Sequence, residues 1–348
     1  MSKRNILMIC ADTGGAEGII PVYRQLAQDQ RNTVRVVADG PATKLLIEGA
    51  TSYLCLGPEC CDKLGWMPDL VVTSLDSSGN IGFALVQHLR QNGYTGPVVA
   101  LSDYPVSGAL TNDEWPNARP DYITAGDEVG KQIILRAWPD FNPDRAVVTG
   151  YPAFDRLAGF EMDAVRCWVR QELGISPEWC LVSAFSSIEQ TGEMMRNVVR
   201  VIMTCTFPVR AALRPHPRLA ERAPEEFAAY QAAFASLGDM AVDTSDFTTD
   251  EVIAASDVVI APYSTVLGRA AAMGVSAVNY ALPHTDKMYE KDATIAPRFP
   301  WVEAGYVAEA RTLADLRDML NAPPRVGRGP AFDDNSALRA ATFIDSLL

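Results

Sequence analysis

The segment Asn5–Gln25, NILMICADTGGAEGIIPVYRQ, constrains the fold more than any other part of the sequence. Its first six residues are a short apolar run that predicts a buried parallel strand. Asp12–Gly15 predicts a tight turn, and Ile19–Ala27 carries apolar residues at helical spacing. Strand, turn and helix in this order place helix N–H groups at the carboxyl end of a strand, where an anion or a sugar can dock. An alternative is that the two glycines only let the chain turn sharply.

Strand-like apolar runs alternate with helix-like segments along the whole chain. The runs of the first half are Ile6–Cys10, Val34–Ala38, Leu70–Ser74, Val98–Ser102, Tyr122–Ala125 and Ala146–Thr149. Those of the second half are Cys180–Phe185, Val209–Leu213, Met240–Asp243, Val258–Ala261 and Ala277–Tyr280. This alternation predicts parallel sheets with helices on both faces. Ligands of such sheets bind outside the carboxyl ends of the strands.

Length and one loop predict two domains. A chain of 348 residues is long for a single hydrophobic core. Thr149–Asp155, TGYPAFD, follows a strand-like run and indicates the exit from the first domain. The predicted fold class is α/β, with doubly wound parallel-sheet domains at 1–155 and 156–330 that face each other across a cleft. Clefts between domains are common small-molecule sites. We expect 331–348 to form a closing helix that packs back on the first domain.

Composition argues against several classes of partner. Lys and Arg total 30 and Asp and Glu total 43, so the formal charge is −13, which disfavours nucleic acid and gives no attraction to anionic lipid. The seven cysteines are scattered without a CxxC pair, as expected for a reduced, cytoplasmic protein. No segment has the roughly 18 unbroken apolar residues of a membrane span. A homodimer is compatible with the sequence, which leaves the oligomeric state open.

The motif Leu213–Arg218, LRPHPR, follows a strand-like run. Prolines on both sides of His216 stiffen its backbone, which lowers the entropy lost when a ligand binds. A histidine at this position can donate to a phosphate oxygen, and Arg214 and Arg218 would add charge-assisted donors. The alternative is a surface turn with a solvated histidine. The motif therefore makes His216 and Arg214 candidate ligand-binding residues.

A second candidate anion site lies in Ala261–Gly274, APYSTVLGRAAAMG. Ser264 and Thr265 stand between a strand-like run and an alanine-rich helix, at the position of a helix N-cap. Such hydroxyls most often only cap the helix, but together with the N–H groups of the first turn they also cradle phosphate. Because the LRPHPR motif also follows a strand, we expect one diphosphate to contact both segments.

These pieces resemble the GT-B superfamily of nucleotide-sugar enzymes, which have two Rossmann-like domains. The Gly14–Gly15 turn followed by Pro21 is similar to the acceptor-side loop of the transferase that adds N-acetylglucosamine in peptidoglycan synthesis. RPHPR resembles the HP motif of CMP- and CDP-dependent members, and Ser256–Tyr280 resembles the donor-binding strand–helix–strand. The resemblance spans nearly the whole chain. It implies an acceptor-side domain at 1–155 and a nucleotide-sugar-binding domain at 156–330.

A closer resemblance is to the hydrolysing UDP-N-acetylglucosamine 2-epimerases, which share this fold. It implies carboxylate roles for Asp76 in VVTSLDSSGN and for Asp103 in VALSDYP. A third carboxylate of that family corresponds to Asp113 or Glu114 in TNDEWPNARPDYI. An epimerase would act on the nucleotide sugar alone, through Asp76, Asp103 and Glu114.

The sequence departs from that family in two places. SSIEQTGEM is similar to the family segment HRRENxGE, but Ser186, Ser187 and Ile188 replace its histidine and arginines. The acidic residue that holds the ribose hydroxyls in the family is Arg269 here, and an arginine accepts no hydrogen bond. Either the ribose is held elsewhere, for example by Glu189, or the ligand carries an extra anionic group.

Inverting glycosyl transfer needs a base on the acceptor side and donors around the leaving phosphate. Candidate bases are Asp103, which follows a strand end, then Glu17 on the glycine-turn segment, and third Asp76. Each is also consistent with a helix cap or a solvated carboxylate. His284 follows the last donor-domain strand, where loops of the superfamily often meet the sugar. No Asp-x-Asp motif is present, so we expect neither a metal nor a cofactor beyond the nucleotide-sugar donor.

The preferred prediction is a metal-independent GT-B glycosyltransferase of carbohydrate biosynthesis. It would move a sugar from a nucleotide-activated donor to a small-molecule or glycan acceptor. The alternatives are an epimerase-like enzyme acting on the nucleotide sugar alone, and a non-catalytic protein that binds a nucleotide or a sugar.

Overall fold

The computed structural model describes residues 3–48, 53–55, 66–75, 81–105, 119–282, 298–324 and 333–348. Asp76, Asp113, Glu114 and His284 lie outside the described residues. The chain divides into two compact units, a first unit of Met1–Ala158 with Pro330–Leu348 and a second unit of Gly159–Gly329. No helix among the described residues is both long and apolar enough to cross a membrane.

The first unit is built on one parallel sheet. Its strands are β1 (Arg4–Cys10), β2 (Asn32–Ala38), β3 (Tyr53–Cys55), β4 (Leu70–Ser74), β5 (Val98–Leu101), β6 (Tyr122–Ala125) and β7 (Ala146–Val148). They form a seven-stranded sheet in the order β3-β2-β1-β4-β5-β6-β7, and each neighbouring pair runs parallel. All residues of β4 and β5 are buried. Burial on both faces explains why these strands are continuous apolar runs in the sequence.

Among the described residues, four helices of the first unit follow its strands. They are α1 (Thr13–Leu26), α2 (Ala42–Glu48), α3 (Ile81–Gln91) and α4 (Glu128–Ala137). α1 begins earlier than the sequence predicts, so Gly14 and Gly15 lie in its first turn and not in a turn before it. The reason is the N-cap, because Asp12 Oδ1 accepts a hydrogen bond from the Gly15 N–H at 2.7 Å.

The second unit contains a smaller parallel sheet. Its strands are β8 (Cys180–Phe185), β9 (Val209–Arg214), β10 (Val258–Ala261), β11 (Ser276–Tyr280) and β12 (Ala308–Ala310), in the order β12-β11-β10-β8-β9. The predicted strand at Met240–Asp243 is wrong. Gly238–Met240 is a 3₁₀ turn, and only Ala241 makes an isolated bridge, to Ala211 of β9. The sheet brings the carboxyl ends of β9, β8 and β10 side by side.

The helices of the second unit are α5 (Met162–Glu172), α6 (Thr191–Ile202), α7 (Leu219–Arg222), α8 (Pro224–Ser236), α9 (Thr249–Ala255), α10 (Thr265–Ala272), α11 (Pro300–Glu303) and α12 (Leu313–Asn321). The last helix, α13 (Ser336–Asp345), belongs to the first unit and packs on α1. Its N-terminus is anchored by Asp155, whose carboxylate accepts from the N–H groups of Ser336 and Ala337 at 3.1 and 2.7 Å.

Candidate functional site

Three polar residues follow neighbouring strands of the second unit. Ser186 follows β8 directly, His216 lies just beyond β9, and Ser264 precedes α10 at the end of the turn after β10. β8 lies between β9 and β10, so these residues lie at the carboxyl edge of one sheet. We call Ser186, His216 and Ser264 the polar edge. This is the side of a parallel sheet on which ligands bind.

His216 is held in one orientation by two hydrogen bonds. Its backbone N–H donates to Ser186 Oγ at 2.9 Å, and its Nδ1 accepts from the Arg218 N–H at 3.1 Å. Because Nδ1 is an acceptor, we assign the ring proton to Nε2, which becomes a donor. Burial, and after it the charges of Arg218 and Arg222, lower the pKa of His216. The ring is therefore a neutral hydrogen-bond donor at neutral pH.

Arg214 supports the polar edge from the end of β9. Its Nη1 donates to the carbonyl oxygens of Thr244 and Phe247, at 2.8 Å each. Burial lowers the pKa of its guanidinium, yet an arginine stays charged at neutral pH. Arg214 thus fixes the 244–247 loop that leads into α9. The sequence predicts Arg214 as a ligand donor, and in the structure its Nη1 donates to this loop.

Ser264 caps α10 and is followed by the exposed Thr265. Ser264 Oγ accepts from the Val266 N–H at 3.3 Å, which satisfies one of the N–H groups at the start of the helix. A hydroxyl that accepts one hydrogen bond still has its own proton to donate. The N-terminus of α10 therefore combines a hydroxyl donor with the positive end of the helix dipole.

The N-terminus of α6 is different, because a carboxylate of the same unit already binds it. The Gly192 N–H, in the first turn of α6, donates to Glu226 Oε2 of α8 at 2.6 Å. Ser187 shapes the loop before the helix, since its Oγ donates to the Glu189 carbonyl at 2.6 Å and its carbonyl accepts from Thr191 Oγ1 at 2.7 Å. The N-terminus of α10, in contrast, is capped by Ser264 and by no carboxylate of the described residues.

Arg269, the unusual residue of α10, makes an ion pair with Asp250 of α9. Arg269 Nη1 lies 3.2 Å from Asp250 Oδ1, and the two side chains are only 15% and 9% exposed. The charge of Arg269 is thus balanced within the second unit. An extra anionic group on the ligand is not needed to explain an arginine at this position.

In the first unit, three carboxylates gather at the N-terminal end of α1. A Cβ at Gly14 would lie 2.3 Å from Asp103 Oδ2 and 3.7 Å from Asp12 Oδ1. Glu17 lies three residues after Gly14, on the same face of the helix, with its Oε1 3.9 Å from Arg156 Nη2. We call Asp12, Glu17 and Asp103 the acidic edge. The structure thus places two of the predicted bases, Asp103 and Glu17, at one end of α1.

The acidic edge suits a ligand that donates hydrogen bonds. Carboxylates are acceptors only, and several negative charges together repel phosphate. The sequence predicts the Gly15 N–H as a donor to an anion or a sugar. In the structure it already donates to Asp12 Oδ1 at 2.7 Å. Gly14 has a steric task instead, because any side chain there would displace the carboxylate of Asp103.

Asp12 and Asn279 are not among the residues singled out from the sequence. Asp12 follows the first strand and precedes the helix, which is the usual position of a capping aspartate. Asn279 is the one amide side chain inside the buried part of β11, the run AVNY. A buried polar residue in an apolar strand is a signal that sequence reasoning can use.

No protein-family model matches the chain, and no curated protein matches its sequence. Solved structures match it over nearly their whole length. The UDP-GlcNAc 2-epimerase from Neisseria meningitidis bound to UDP-GlcNAc is 15% identical, with a TM-score of 0.70 over 98% of this chain and 100% of that chain. MurG from Acinetobacter baumannii is 16% identical, with a TM-score of 0.60 over 99% of both chains. A glycosyltransferase from Rickettsia africae is 12% identical, with a TM-score of 0.58 over 100% and 93%.

The fold is GT-B. The prediction of two parallel-sheet α/β domains of GT-B type is confirmed, and the neighbours include both GT-B glycosyltransferases and UDP-GlcNAc 2-epimerases, as the sequence motifs suggest. Identities of this size establish the GT-B fold and leave the choice between these activities to the chemistry of the site.

Proposed function

We propose that this GT-B chain is a glycosyltransferase that moves a sugar from a nucleotide-activated donor to a hydroxyl-bearing acceptor. The observation that carries the proposal is the contrast between the two edges. The polar edge presents hydrogen-bond donors and a helix N-terminus capped by the neutral hydroxyl of Ser264, which favours a diphosphate. The acidic edge presents carboxylates, which favour a hydroxyl group and its deprotonation.

In this proposal the second unit binds the nucleotide diphosphate. His216 donates from Nε2, Ser264 donates from its hydroxyl, and the first turn of α10 adds N–H groups. These donors stabilise the negative charge that grows on the phosphate as it leaves. Because His216 is neutral, it binds the phosphate as a hydrogen-bond donor, and the positive potential comes from the helix N-terminus. This arrangement requires no metal ion.

The first unit supplies the base. Asp103 accepts the proton of the acceptor hydroxyl, whose oxygen forms a bond to the anomeric carbon of the sugar. The bond between that carbon and the phosphate oxygen breaks, and the nucleoside diphosphate leaves with the electron pair. Glu17 is the next candidate base, and Asp76 the third. The absence of a side chain at Gly14 leaves room for Asp103, whose Oδ2 lies 2.3 Å from where a Cβ of residue 14 would be.

The second candidate function is an epimerase-like reaction on the nucleotide sugar alone. It is favoured by the backbone likeness, because the UDP-GlcNAc 2-epimerase superposes with a higher TM-score than MurG. A third candidate is a protein that binds the nucleotide or the sugar without turnover. Binding and turnover measurements distinguish the three.

The first test is a thermal-shift screen with UDP, CMP, CDP, GDP and dTDP. One nucleotide is expected to raise the melting temperature of the wild type, and a ligand at 100 times its Kd stabilises by about 2.7 kcal/mol. His216→Ala and Ser264→Ala should lose this shift. Ser264→Asp keeps a good N-cap but adds a negative charge, so it should also lose the shift. Ser236→Ala, at the far end of α8, is the control and should keep it.

Turnover then decides between the activities. With the matching nucleotide sugar, a transferase releases nucleotide only when an acceptor is present, and Asp103→Asn should abolish release while leaving nucleotide binding intact. An epimerase-like enzyme releases or isomerises without an acceptor, and a binding protein does neither. If no nucleotide stabilises the wild type, the nucleotide-sugar proposal is wrong.

A further inference from the structure

Asn279 is a fully buried amide in the second unit, on strand β11 next to β10. Its Oδ1 accepts a hydrogen bond from the Tyr263 N–H at 2.9 Å. Its Nδ2 is buried and has no hydrogen-bonding partner among the described residues. A buried donor without a partner costs folding free energy, and an apolar residue at this position would avoid that cost. Asn279 therefore needs a role that outweighs it.

The hydrogen-bond partner of Asn279 is itself in an unfavourable conformation. Tyr263 has a φ of 42°, in the left-handed region that a residue with a side chain rarely adopts. Its ring packs against Phe299, with the centroids 5.3 Å apart. Tyr263 immediately precedes Ser264, so its backbone angles set the direction of the hydroxyl and of the first turn of α10. Strain of this kind is common at ligand-binding sites.

Glu309 carries a second buried polar side chain, on the strand next to that of Asn279. The two residues are register partners on β11 and β12, so their side chains lie on the same face of the sheet. The Glu309 side chain is 4% exposed and its Oε2 accepts from Arg311 Nε at 2.7 Å. Its Oε1 is buried and has no partner in the described part of the chain. Asn279 Nδ2 and Glu309 Oε1 are thus two unsatisfied buried polar atoms on neighbouring strands of the described sheet.

We infer that Asn279 is a positioning residue of the nucleotide-binding turn 262–265. By holding Tyr263 in the left-handed conformation, it fixes Ser264 and the N-terminus of α10 before the ligand arrives. A turn held in its bound geometry loses less entropy on binding, so affinity rises without any contact between Asn279 and the ligand. This inference rests on the proposed function for the role of the turn, and on the structure alone for the conformation of Tyr263.

The first test needs no ligand. Hydrogen exchange of the Tyr263 amide is measured by NMR in the wild type, in Asn279→Leu and in Asn197→Leu. The last is a matched control, because Asn197 Nδ2 donates to Tyr280 Oη at 3.1 Å, next in sequence to Asn279. We expect exchange at least tenfold faster in Asn279→Leu and unchanged in Asn197→Leu. Equal exchange rates in all three proteins would overturn the inference. If leucine prevents folding, Asn279→Ser, whose hydroxyl is too short to reach Tyr263, replaces it.

The second test uses the nucleoside diphosphate that stabilises the wild type, with Kd measured by calorimetry. Asn279→Leu should raise Kd at least tenfold without lowering the melting temperature. Adding Ser264→Ala should raise Kd little further, because both substitutions act on one turn. Tyr263→Gly should restore affinity in Asn279→Leu, since glycine adopts positive φ without strain. Multiplicative losses, or no rescue by glycine, would contradict the positioning role. If the wild type binds no nucleoside diphosphate, the proposed function fails, whereas the exchange experiment still decides the role of Asn279.

Discussion

Two glycines of α1 occupy the same helix in different surroundings, and this difference makes a quantitative prediction. A Cβ at Gly18 would meet no atom within 4 Å, whereas a Cβ at Gly14 would lie 2.3 Å from Asp103 Oδ2. Replacing glycine by alanine in a helix adds about 0.5–1 kcal/mol of stability when there is space. We therefore expect Gly18→Ala to raise the unfolding free energy of the first unit by about 0.5–1 kcal/mol.

Gly14→Ala should not show this gain. The contact to Asp103 must lengthen from 2.3 Å to at least 3.4 Å to become ordinary, so the carboxylate has to move by about 1 Å. Moving the Asp103 carboxylate away from the N-terminus of α1 weakens its favourable interaction with the helix dipole, which offsets the gain in helix propensity. The unfolding free energy of Gly14→Ala should therefore equal that of the wild type or be lower. If Asp103 is the base, a displacement of about 1 Å also lowers kcat by roughly 100-fold, while Gly18→Ala keeps full activity.

The stability part can be measured without a substrate, by urea unfolding of five proteins. These are the wild type, Gly14→Ala, Gly18→Ala, Asp103→Ala and the double variant Gly14→Ala/Asp103→Ala. Removing the Asp103 carboxylate removes the clash, so Gly14→Ala should be stabilising in that background and not in the wild type. If Gly14→Ala stabilises the wild type as much as Gly18→Ala does, Asp103 does not lie against Gly14, and the geometry assigned to the acidic edge is wrong.

Three other substitutions test the second unit. Burial lowers the pKa of His216 below its ordinary 6.5, so below that pH the unfolded chain binds the proton more readily than the folded protein. The unfolding free energy of the wild type should therefore fall more steeply than that of His216→Gln as the pH drops below 6.5. Equal slopes of unfolding free energy against pH would contradict the lowered pKa of His216. Gly268→Ala would put a Cβ 2.4 Å from the Trp301 ring and should lower the unfolding free energy by about 1–3 kcal/mol. Thermal unfolding should show a smaller loss of stability when the same substitution is made in Trp301→Phe. An equal loss in both backgrounds would mean that the clash with Trp301 is not its cause. Asp250→Asn removes the charged partner of Arg269 in this ion pair and should lower the unfolding free energy by about 3 kcal/mol. Adding Arg269→Met should recover part of that stability in chemical unfolding. If it recovers none, the loss does not come from the broken ion pair.

The central strands were predictable because burial on both faces leaves a plain mark in the sequence. Cys180–Phe185 and Val258–Ala261 have the predicted bounds in the structure, and both are almost wholly buried. The edge strands β3 and β12 have three residues each and are too short to show a period. The apolar run at Met240–Asp243 looks like a strand but pairs through Ala241 alone. A local apolar pattern indicates that a segment is buried, whereas strand pairing depends on neighbouring segments that are distant in sequence.

The candidate site residues could be proposed from the sequence, but the contacts that the structure gives them could not. Asp103 and His216 could be singled out because each follows a strand of a parallel sheet. Nothing local to Gly14 indicates that Asp103 packs against it, since the two are far apart in sequence. Arg269 stood out as unusual, but its partner Asp250 lies 19 residues away on another helix. Contacts of this kind appear only when the helices are packed.

The capping residues explain why the ligand anion is assigned to α10. Asp12 Oδ1 accepts from the first turn of α1 at 2.7 Å, and Asp127 Oδ1 does the same for α4, also at 2.7 Å. Glu226 of α8 serves the first turn of α6. Each of these three helix N-termini already has a carboxylate that accepts from an N–H group of its first turn. α10 is capped by the neutral hydroxyl of Ser264, so a phosphate can bind there without displacing a carboxylate. In the proposed function, this neutral cap is what distinguishes α10 from α1, α4 and α6 as a site for the phosphate.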